Sequence, residues 1–381
     1  MRVLHILPSH LFAIGGMEDF TRNLIQRLER HGMNVEVWHL PLRPGALLMH
    51  QAPVFKTADL PVITVSRYRF PCFNPRRLRH YDVVHVHGIG GITDVIALTW
   101  LWHRRPVVVS THGGIFHTNK FRFVKQCYFR LVQPIIARLV SCYVACSVND
   151  RDLFAPVAPR LELIENGVAL FPVPHGQRNH RRWVWVGRWS RNKELPALFR
   201  AVAAARRQLP EVMLDVVGAP DDLTRADLEN LAIETGLSAG LTIHQAVTRD
   251  DMALILGQAT LTLSAARHEG FGLAVIEAMS AGCVPVVNDI PVFRRFIAES
   301  GVGRVCDYTD AESAANALVE VSRTVESNPQ GAAEQAAHFA SRYGWSQVEE
   351  RWLALYQRLA PRPAHAAHVT NSAHATNSTH D

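Results

Sequence analysis

Short β-branched runs alternate along both halves of the chain with segments in which apolar residues recur every three or four positions. The runs that predict strands are RVLHIL, NVEVWHL, VITV, DVVHVHG, PVVVSTHG, CYVACS, RRWVWVG, VMLDVVG, LTIHQ, TLTLSA and VPVVN. The segments between them predict helices, one of which runs from Asp19 to His31 and is closed by Gly32. This alternation predicts βαβ units with parallel sheets, an α/β fold.

The alternation starts afresh after the stretch ENGVALFPVP, so the pattern predicts two α/β domains, and 381 residues suit two domains of about 150 to 200 residues. Ligands of such sheets bind at the carboxyl ends of the strands, so two facing domains predict a cleft. The predicted order is an N-terminal domain, a linker, a C-terminal domain, a last helix and a disordered tail, at residues 1–168, 169–180, 181–345, 346–360 and 361–381.

Composition narrows the class of protein. Hydrophobic residues make up 48% and charged residues 19%, which is typical of a globular chain. No apolar run reaches the roughly 18 residues of a membrane span, and the start MRVLHILP is too short for a signal peptide, so we expect a cytoplasmic protein. The six cysteines form no C-x-x-C pair, which favours free structural thiols over a disulfide or zinc framework.

The net charge of +6 is uneven, because residues 1–168 hold 20 Lys and Arg against 11 Asp and Glu, and the rest hold 20 against 23. A basic first half predicts an anionic partner, either a phosphorylated ligand or an anionic membrane surface. Nucleic acid is not expected, since no recognised binding motif is present. Residues 119–140 interleave basic and aromatic side chains, which predicts peripheral contact with an anionic membrane; an ordinary helix packed on the sheet is the alternative.

Two loops in the first half carry candidate chemistry. Gly15 and Gly16 lie between the first strand and a helix, where backbone amides could receive a phosphate; a plain turn is the alternative. The loop lacks G-x-G-x-x-G, which argues against a nicotinamide enzyme. In PVVVSTHGG, His112 lies at the end of a strand and precedes two glycines, so it is predicted to face a ligand. The sequence leaves the roles of His85 and His87 open.

The second half supplies two cations and two carboxylates. Arg188 follows a strand-end glycine and Lys193 lies five positions later, an arrangement that suits a diphosphate. In RHEGFGLAVIEAM, Glu269 lies in a loop after a strand, and Glu277 lies in the helix that Gly272 begins. Carboxylates accept hydrogen bonds from adjacent hydroxyls, so the pair predicts sugar and ribose contacts, with the Gly-Phe-Gly amides near a phosphate.

Taken together, these motifs resemble glycosyltransferase family 4 (GT4), a family of retaining enzymes with the two-domain GT-B fold. EGFGLAVIE matches its E-x7-E motif, VGRWSRNK its diphosphate-binding Arg and Lys, AIGGME its glycine loop, STHGG its active-site His-Gly and ENGV its domain junction. The segment YGWSQVEERWLALYQRL resembles the helix that crosses back to the first domain. Glu194 departs from the family's usual glycine, and residues 41–80 match no motif, so acceptor specificity is expected there.

The resemblance implies roles for single residues. Glu277 would hold ribose hydroxyls, and Glu269 and His112 would contact the transferred sugar as the catalytic pair. The donor diphosphate would lie against Gly15, Gly16, Arg188, Lys193, Phe271, Gly272 and Leu273. We expect no metal and no cofactor besides the nucleotide sugar, because no D-x-D pair ends a strand; Asp221-Asp222 lacks the spacing and is expected to add repulsion.

The implied activity is transfer of a hexose, with retention, from a nucleoside diphosphate sugar to a glycan acceptor, which is expected to be lipid-linked. Mannose from GDP-mannose and glucose from a UDP donor are the favoured donors, in the synthesis of exopolysaccharide or lipopolysaccharide at the inner face of the cytoplasmic membrane. A nucleotide-sugar epimerase on the same architecture and a non-catalytic sugar-nucleotide-binding subunit are the alternatives. Only the transferase requires an acceptor for release of the nucleotide.

Overall fold

The computed structural model describes residues 1–13, 15–41, 55–65, 68–113, 122–174 and 178–360. In its first half a seven-stranded parallel sheet has the order β3-β2-β1-β6-β7-β8-β9, and β4 and β5 pair as an antiparallel hairpin. These strands are β1 (Arg2–Leu7), β2 (Asn34–His39), β3 (Thr57–Asp59), β4 (Val62–Val65), β5 (Tyr68–Pro71), β6 (Val83–His87), β7 (Val107–Ser110), β8 (Cys142–Ala145) and β9 (Leu161–Leu163).

Helices cover both faces of this sheet. They are α1 (Gly16–Arg30), α2 (Gly91–Leu98), α3 (Trp100–His103), α4 (Arg122–Cys127), α5 (Gln133–Leu139) and α6 (Val148–Phe154), with a π-helical turn at Tyr128–Val132. Leu24 and Leu28 of α1 pack on one face, whereas Ile96 of α2 and Ile136 of α5 pack on the other. The edge of the sheet where its strands end therefore stays open between the two helical layers.

The second half repeats this plan with a six-stranded parallel sheet in the order β12-β11-β10-β13-β14-β15. Its strands are β10 (Arg182–Trp189), β11 (Met213–Pro220), β12 (Leu241–Gln245), β13 (Leu261–Ser264), β14 (Val284–Asn288) and β15 (Arg304–Cys306). Its helices are α7 (Leu195–Ala205), α8 (Arg225–Thr235), α9 (Arg249–Gln258), α10 (Leu273–Ser280), α11 (Pro291–Ser300), α12 (Ala311–Ser327) and α13 (Pro329–Ser341), followed by α14 (Trp345–Leu359).

The last helix, α14, returns to the first half of the chain. Its Trp352 and Tyr356 are buried in the same apolar cluster as Phe20 of α1. At the junction Val168 forms a parallel bridge with Gly344, and a Cβ on Gly167 would lie 2.4 Å from the indole of Trp345. The predicted crossover helix is therefore confirmed, and the glycine of ENGV is needed because an aromatic ring occupies the space beside it.

The predicted alternation of strands and helices is confirmed, with one error. VITV, predicted as a strand of the parallel sheet, is β4 of the antiparallel hairpin. Among the described residues it pairs with β5 and not with a strand of the seven-stranded sheet. The short strands β3, β5, β9 and β15 were not predicted, since three or four residues give too little periodicity. The six cysteines are free thiols. The predicted disordered tail, 361–381, lies outside the described residues.

None of the helices in the described ranges has the length and apolar character that a membrane crossing requires.

Candidate functional site

A cavity lies in the cleft between the two sheets, lined by loops at the carboxyl ends of their strands. The first half of the chain contributes Gly16, Met17, His112, Gly113, Cys146, Ser147, Asp150 and Asn166. The second half contributes Val186, Gly187, Arg188, Lys193, Glu269, Gly270, Phe271, Gly272, Leu273 and Ala274. The structure thus brings together eight of the ten predicted site residues; Gly15 and Glu277 do not line this cavity.

The glycine loop brings the two halves close together. Gly16 begins α1, and a Cβ on it would lie 3.7 Å from Cδ1 of Leu273, at the start of α10 in the other half. The N-termini of α1 and α10 therefore approach each other across the cleft, where both favour an anion. Gly15 leaves room for the side chain of the buried Glu18, because a Cβ at position 15 would lie 2.2 Å from Oε2 of Glu18. Glu18 accepts a hydrogen bond from Ser9.

His112 lies in a tight loop after β7. Its φ is +44°, in the left-handed region that side chains other than glycine seldom adopt. The buried carboxylate of Asp150 holds the loop, because Oδ2 accepts hydrogen bonds from Thr111 Oγ1 at 2.6 Å and from the amide of Gly113 at 2.9 Å. Burial lowers the pKa of His112 to about 4, so its imidazole is neutral at pH 7.

The two predicted cations both reach the cavity, and each pairs with a carboxylate. Lys193 Nζ donates to Glu269 Oε1, and both side chains are mostly buried. Arg188 Nη1 donates to Asp221 Oδ2 at 2.8 Å. β10 pairs with β11 in a register that sets Arg188 opposite Ala219, which brings Asp221 to the guanidinium, and the predicted repulsion between Asp221 and a bound diphosphate stays a prediction.

Gly272 gives the EGFG loop its shape. It is the N-cap of α10 with φ +86°, a left-handed conformation that favours glycine. A Cβ at this position would also lie 3.0 Å from the ring of Phe293 and 3.1 Å from that of Phe296. Phe271 is buried against this aromatic cluster, so the loop is packed from below while Gly272, Leu273 and Ala274 line the cavity above.

Glu277 lies one turn further along α10. Burial raises the pKa of its carboxyl to about 7, with a further contribution from Asp19 of α1 and an opposing one from Arg249. It does not line the cavity that contains Arg188 and Lys193. The predicted contact of Glu277 with ribose hydroxyls stays a prediction.

Glu194 stands where the resembled family usually has glycine. Its φ is +54°, again in the left-handed region, and it caps the start of α7 directly after Lys193. Its carboxylate forms an ion pair with Nε of Arg267 at 3.1 Å. The backbone beside Lys193 therefore has the conformation that glycine adopts readily, although the residue is different.

Sequence reasoning missed several residues of the site. Ser147 is the N-cap of α6 and accepts from the amide of Asp150 at 3.1 Å. The spacing S-x-x-D after a strand was the signal that could have placed this pair at a strand-to-helix turn. Cys146 and Asn166 also line the cavity, and burial raises the pKa of the Cys146 thiol to about 12, which favours the protonated thiol at neutral pH.

One group in the described part of the chain has the residue types of a metal site. His5, His85 and His87 are fully buried, and each offers a nitrogen within 4.8 Å of the others. His85 Nδ1 lies 2.6 Å from the Tyr356 hydroxyl and its Nε2 lies 2.8 Å from that of Ser110. His87 contacts His5 and His112. The imidazoles are thus engaged with each other and with hydroxyls.

Two family models match the chain. The description "Glycosyltransferase Family 4" matches residues 14–170, and "Glycosyl transferases group 1" matches residues 176–337. A GDP-mannose:cellobiosyl-diphosphopolyprenol alpha-mannosyltransferase of Xanthomonas oryzae is 33% identical over 93% of this chain and 96% of its own. The enzyme of that name from Komagataeibacter xylinus is 32% identical over 97% of this chain and 96% of its own.

Solved structures show the same fold. A glycosyltransferase from Rickettsia africae superposes with a TM-score of 0.71 at 15% identity, over 94% of this chain and 98% of its own. Sucrose-phosphate synthase from Thermosynechococcus elongatus gives 0.69 at 17% identity, over 94% and 99%. The two parallel sheets, the crossover helix and both family matches agree with the prediction from the motifs. The chain therefore belongs to glycosyltransferase family 4 and is a glycosyltransferase with the GT-B fold.

Proposed function

We propose that this hexosyltransferase transfers mannose from GDP-mannose to an oligosaccharide linked through diphosphate to a polyprenol, in bacterial surface-polysaccharide synthesis. The similarity over nearly the whole chain to relatives named for that donor and acceptor supports the proposal most directly. The cavity supplies matching chemistry, since it combines two cations with the N-termini of two helices. Glucose from a UDP donor is the second candidate.

The donor diphosphate would lie between Arg188, Lys193 and the first amides of α10. A doubly charged diphosphate competes for Arg188 and Lys193 with Asp221 and Glu269, which hold these cations in the structure. Release of Glu269 from Lys193 would free its carboxylate to accept hydrogen bonds from the donor sugar. His112 faces this region from the other half of the chain.

The surroundings of the carboxylates support the proposal that configuration is retained. Asp150 is committed to Thr111 and Gly113, and Glu269, once released from Lys193, would be engaged by hydroxyls of the donor sugar. Neither is a free general base on the face of the sugar opposite the leaving group, which inversion requires. We therefore infer a front-face reaction in which the leaving phosphate accepts the acceptor proton. The mannose of GDP-mannose is α-linked, and an α-linked product agrees with the word "alpha" in the relatives' name.

The test is a transfer assay with GDP-mannose or UDP-glucose and cellobiosyl-diphosphopolyprenol. We expect an α-mannosylated lipid, nucleotide release only with acceptor present, and no product from a His112→Ala variant. Conversion of the donor sugar without acceptor would instead identify an epimerase. Donor binding without turnover under any acceptor would identify a binding subunit, and either result would overturn the transferase proposal.

We also propose that the outer layer of the first domain contacts an anionic membrane. Several large apolar side chains of α2, α3 and the segment 122–139 are exposed, among them Phe123 at 76%, Leu101 at 66% and Trp102 at 50%. The others are Leu98, Trp100, Val124, Leu131, Val132 and Ile135. Tyr128 donates to Asp94 of α2 at 2.8 Å, which joins the two sets into one surface.

Basic residues border this surface. Arg122, Arg130 and Arg138 are exposed on the 122–139 segment, whereas Ile136 and Phe129 of the same segment are buried on the sheet. Lys120 and Phe121, which also contributed to the sequence prediction, lie outside the described residues. Exposed apolar side chains with flanking arginines are the pattern of an interfacial membrane contact, and an acceptor carried by a polyprenol gives it a use.

Reversing the three arginines to glutamate should abolish sedimentation with vesicles that contain anionic phospholipid. Each basic residue near such a surface contributes about 1 kcal/mol, so the triple variant should bind at least about a hundredfold more weakly. The matched control reverses Arg207, Arg225 and Arg323, which are exposed on the second domain. Equal sedimentation of wild type and the 122/130/138 variant would remove the membrane proposal.

A further inference from the structure

Three imidazoles form a hydrogen-bonded chain that starts at the cavity and ends inside the first sheet. His112 Nε2 lies 3.0 Å from His87 Nδ1, and His87 Nε2 lies 3.0 Å from His5 Nδ1. We call these three residues the imidazole chain. They come from neighbouring strands, since His5 is in β1, His87 ends β6 and His112 follows β7. His5 and His87 are fully buried.

A threonine of α1 determines where the protons of this chain lie. Thr21 Oγ1 lies 2.8 Å from the carbonyl oxygen of Met17 and donates its only hydrogen there. The same oxygen lies 3.3 Å from His87 Nδ1 and has only lone pairs left to offer, which favours the His87 tautomer with its hydrogen on Nδ1, between Thr21 Oγ1 and His112 Nε2. A neutral imidazole has one donor and one acceptor. His112 Nε2 is therefore an acceptor, and the hydrogen of His112 is on Nδ1.

The buried end of the imidazole chain, at His5, shows that these residues do not carry protons to solvent. His87 Nε2 accepts from His5 Nδ1, which leaves His5 Nε2 as a bare nitrogen, buried and without a hydrogen-bond partner. A proton entering at His112 would have no exit, so the chain is not a relay to solvent. Burial also lowers the pKa of His5 to about 3 and that of His87 well below its ordinary value, which keeps these rings neutral.

We propose that His87 is a positioning residue that fixes His112 in the Nδ1–H tautomer and fixes the plane of its ring, with Thr21 setting the tautomer of His87. His112 then presents one hydrogen-bond donor at the cavity wall, 3.7 Å from the weakly accepting Sγ of Cys146. A sugar hydroxyl is a better acceptor than a thiol, so this N–H is available to the bound donor sugar. The kinetic part of this inference rests on the proposed function.

His85 provides the matched control. It is as deeply buried as His87, lies two residues away in β6, and stacks on it with ring centroids 4.2 Å apart. Its nitrogens contact Tyr356 and Ser110 and not His112. Loss of packing and of a buried hydrogen bond is therefore comparable for the two residues, whereas only His87 acts directly on His112.

The experiment compares His87→Leu, His87→Asn, Thr21→Val and His85→Asn with wild type. Imidazole nitrogens labelled with ¹⁵N distinguish protonated from bare nitrogen by NMR, and His112→Gln identifies the His112 signals. We expect wild-type His112 to be Nδ1–H, His87→Leu and Thr21→Val to show a mixture of tautomers, and His87→Asn, whose amide replaces the Nδ1–H donor, to retain the wild-type form. His85→Asn should leave His112 unchanged.

Turnover should follow the tautomer. His87→Leu should lower kcat by about tenfold to a hundredfold, the usual effect of removing a group that orients a functional histidine, with little change in donor KM. The kcat of His87→Asn should lie between that of wild type and that of His87→Leu. If His87→Leu does not fold, Thr21→Val keeps all three imidazoles and carries the same test.

Three results would overturn the proposal. They are a wild-type His112 with its hydrogen on Nε2, a His112 tautomer unchanged in both His87→Leu and Thr21→Val, and an effect of His85→Asn on the His112 tautomer equal to that of His87→Leu. Failure of the proposed function gives a different result, since wild type would then show no acceptor-dependent transfer, while the tautomer measurements, which need no substrate, still stand.

Discussion

Replacing Lys193 or Arg188 with alanine should lower turnover by at least about a hundredfold, while excess EDTA leaves the wild-type rate unchanged. Departure of a nucleoside diphosphate adds negative charge that fixed cations or a metal must stabilise, and loss of one preorganised donor typically costs about 10² to 10³ in rate. Both side chains line the cavity opposite His112. The measurement is nucleotide release at saturating acceptor, with and without EDTA.

Arg191 is the control for this prediction. It lies in the same turn as Lys193, is exposed, and does not line the cavity. Arg191→Ala removes the same charge from the chain and so reports on net charge alone; its rate should stay within about threefold of wild type, because charges exposed to water interact weakly. Activity that disappears with EDTA and returns with Mg²⁺ or Mn²⁺ would show that a metal ion stabilises the charge of the departing nucleoside diphosphate.

Local patterns predicted those parts of the fold and site that depend on neighbouring residues. The run TLTLSA followed by RHEGFG places Glu269 and Gly272 after a buried strand, because β-branched residues and glycine have strong local preferences. Gly272 adopts the left-handed conformation that only glycine adopts readily. The crossover helix was likewise recognisable, since Trp345, Trp352 and Tyr356 follow one apolar stripe.

Contacts that depend on the order of the strands in the sheet could not be predicted from local sequence patterns. The imidazole chain exists because β1, β6 and β7 are adjacent in the sheet, although β2 to β5 separate β1 from the other two in the sequence. The ion pair of Arg188 with Asp221 depends on the register of β10 against β11. Periodicity reports which face of a strand is buried, but it does not report which strands are neighbours.

Glu277→Gln should make the protein more stable at pH 8 and leave its stability at pH 4 unchanged. Burial, and then Asp19, raise the pKa of Glu277 to about 7, above the ordinary value of 4.5. A carboxyl with a raised pKa favours folding below its ordinary pKa, and this contribution is lost as pH rises from about 4.5 through 7. Glutamine carries no charge at any pH, so the variant should gain about 2 to 4 kcal/mol at pH 8.

The urea midpoint measured from pH 4 to pH 8 checks this, with Glu234→Gln as the control because Glu234 is an exposed glutamate on α8. Wild-type stability should fall relative to Glu277→Gln over this interval, whereas Glu234→Gln should follow wild type. Parallel curves for wild type and Glu277→Gln would contradict the prediction.

The same substitution should weaken nucleotide binding. If Glu277 holds the ribose hydroxyls, its ionised carboxylate accepts from both, and the loss of charge-assisted hydrogen bonds costs about 1 to 3 kcal/mol. Wild-type affinity should then rise as pH increases through 7, because ligand binding favours the ionised form, and this rise should be absent in Glu277→Gln. Calorimetry with GDP at pH 6 and pH 8 measures both effects. A variant that gains stability and loses affinity together would show that the buried charge is retained for the ligand, whereas unchanged affinity would assign Glu277 a structural role only.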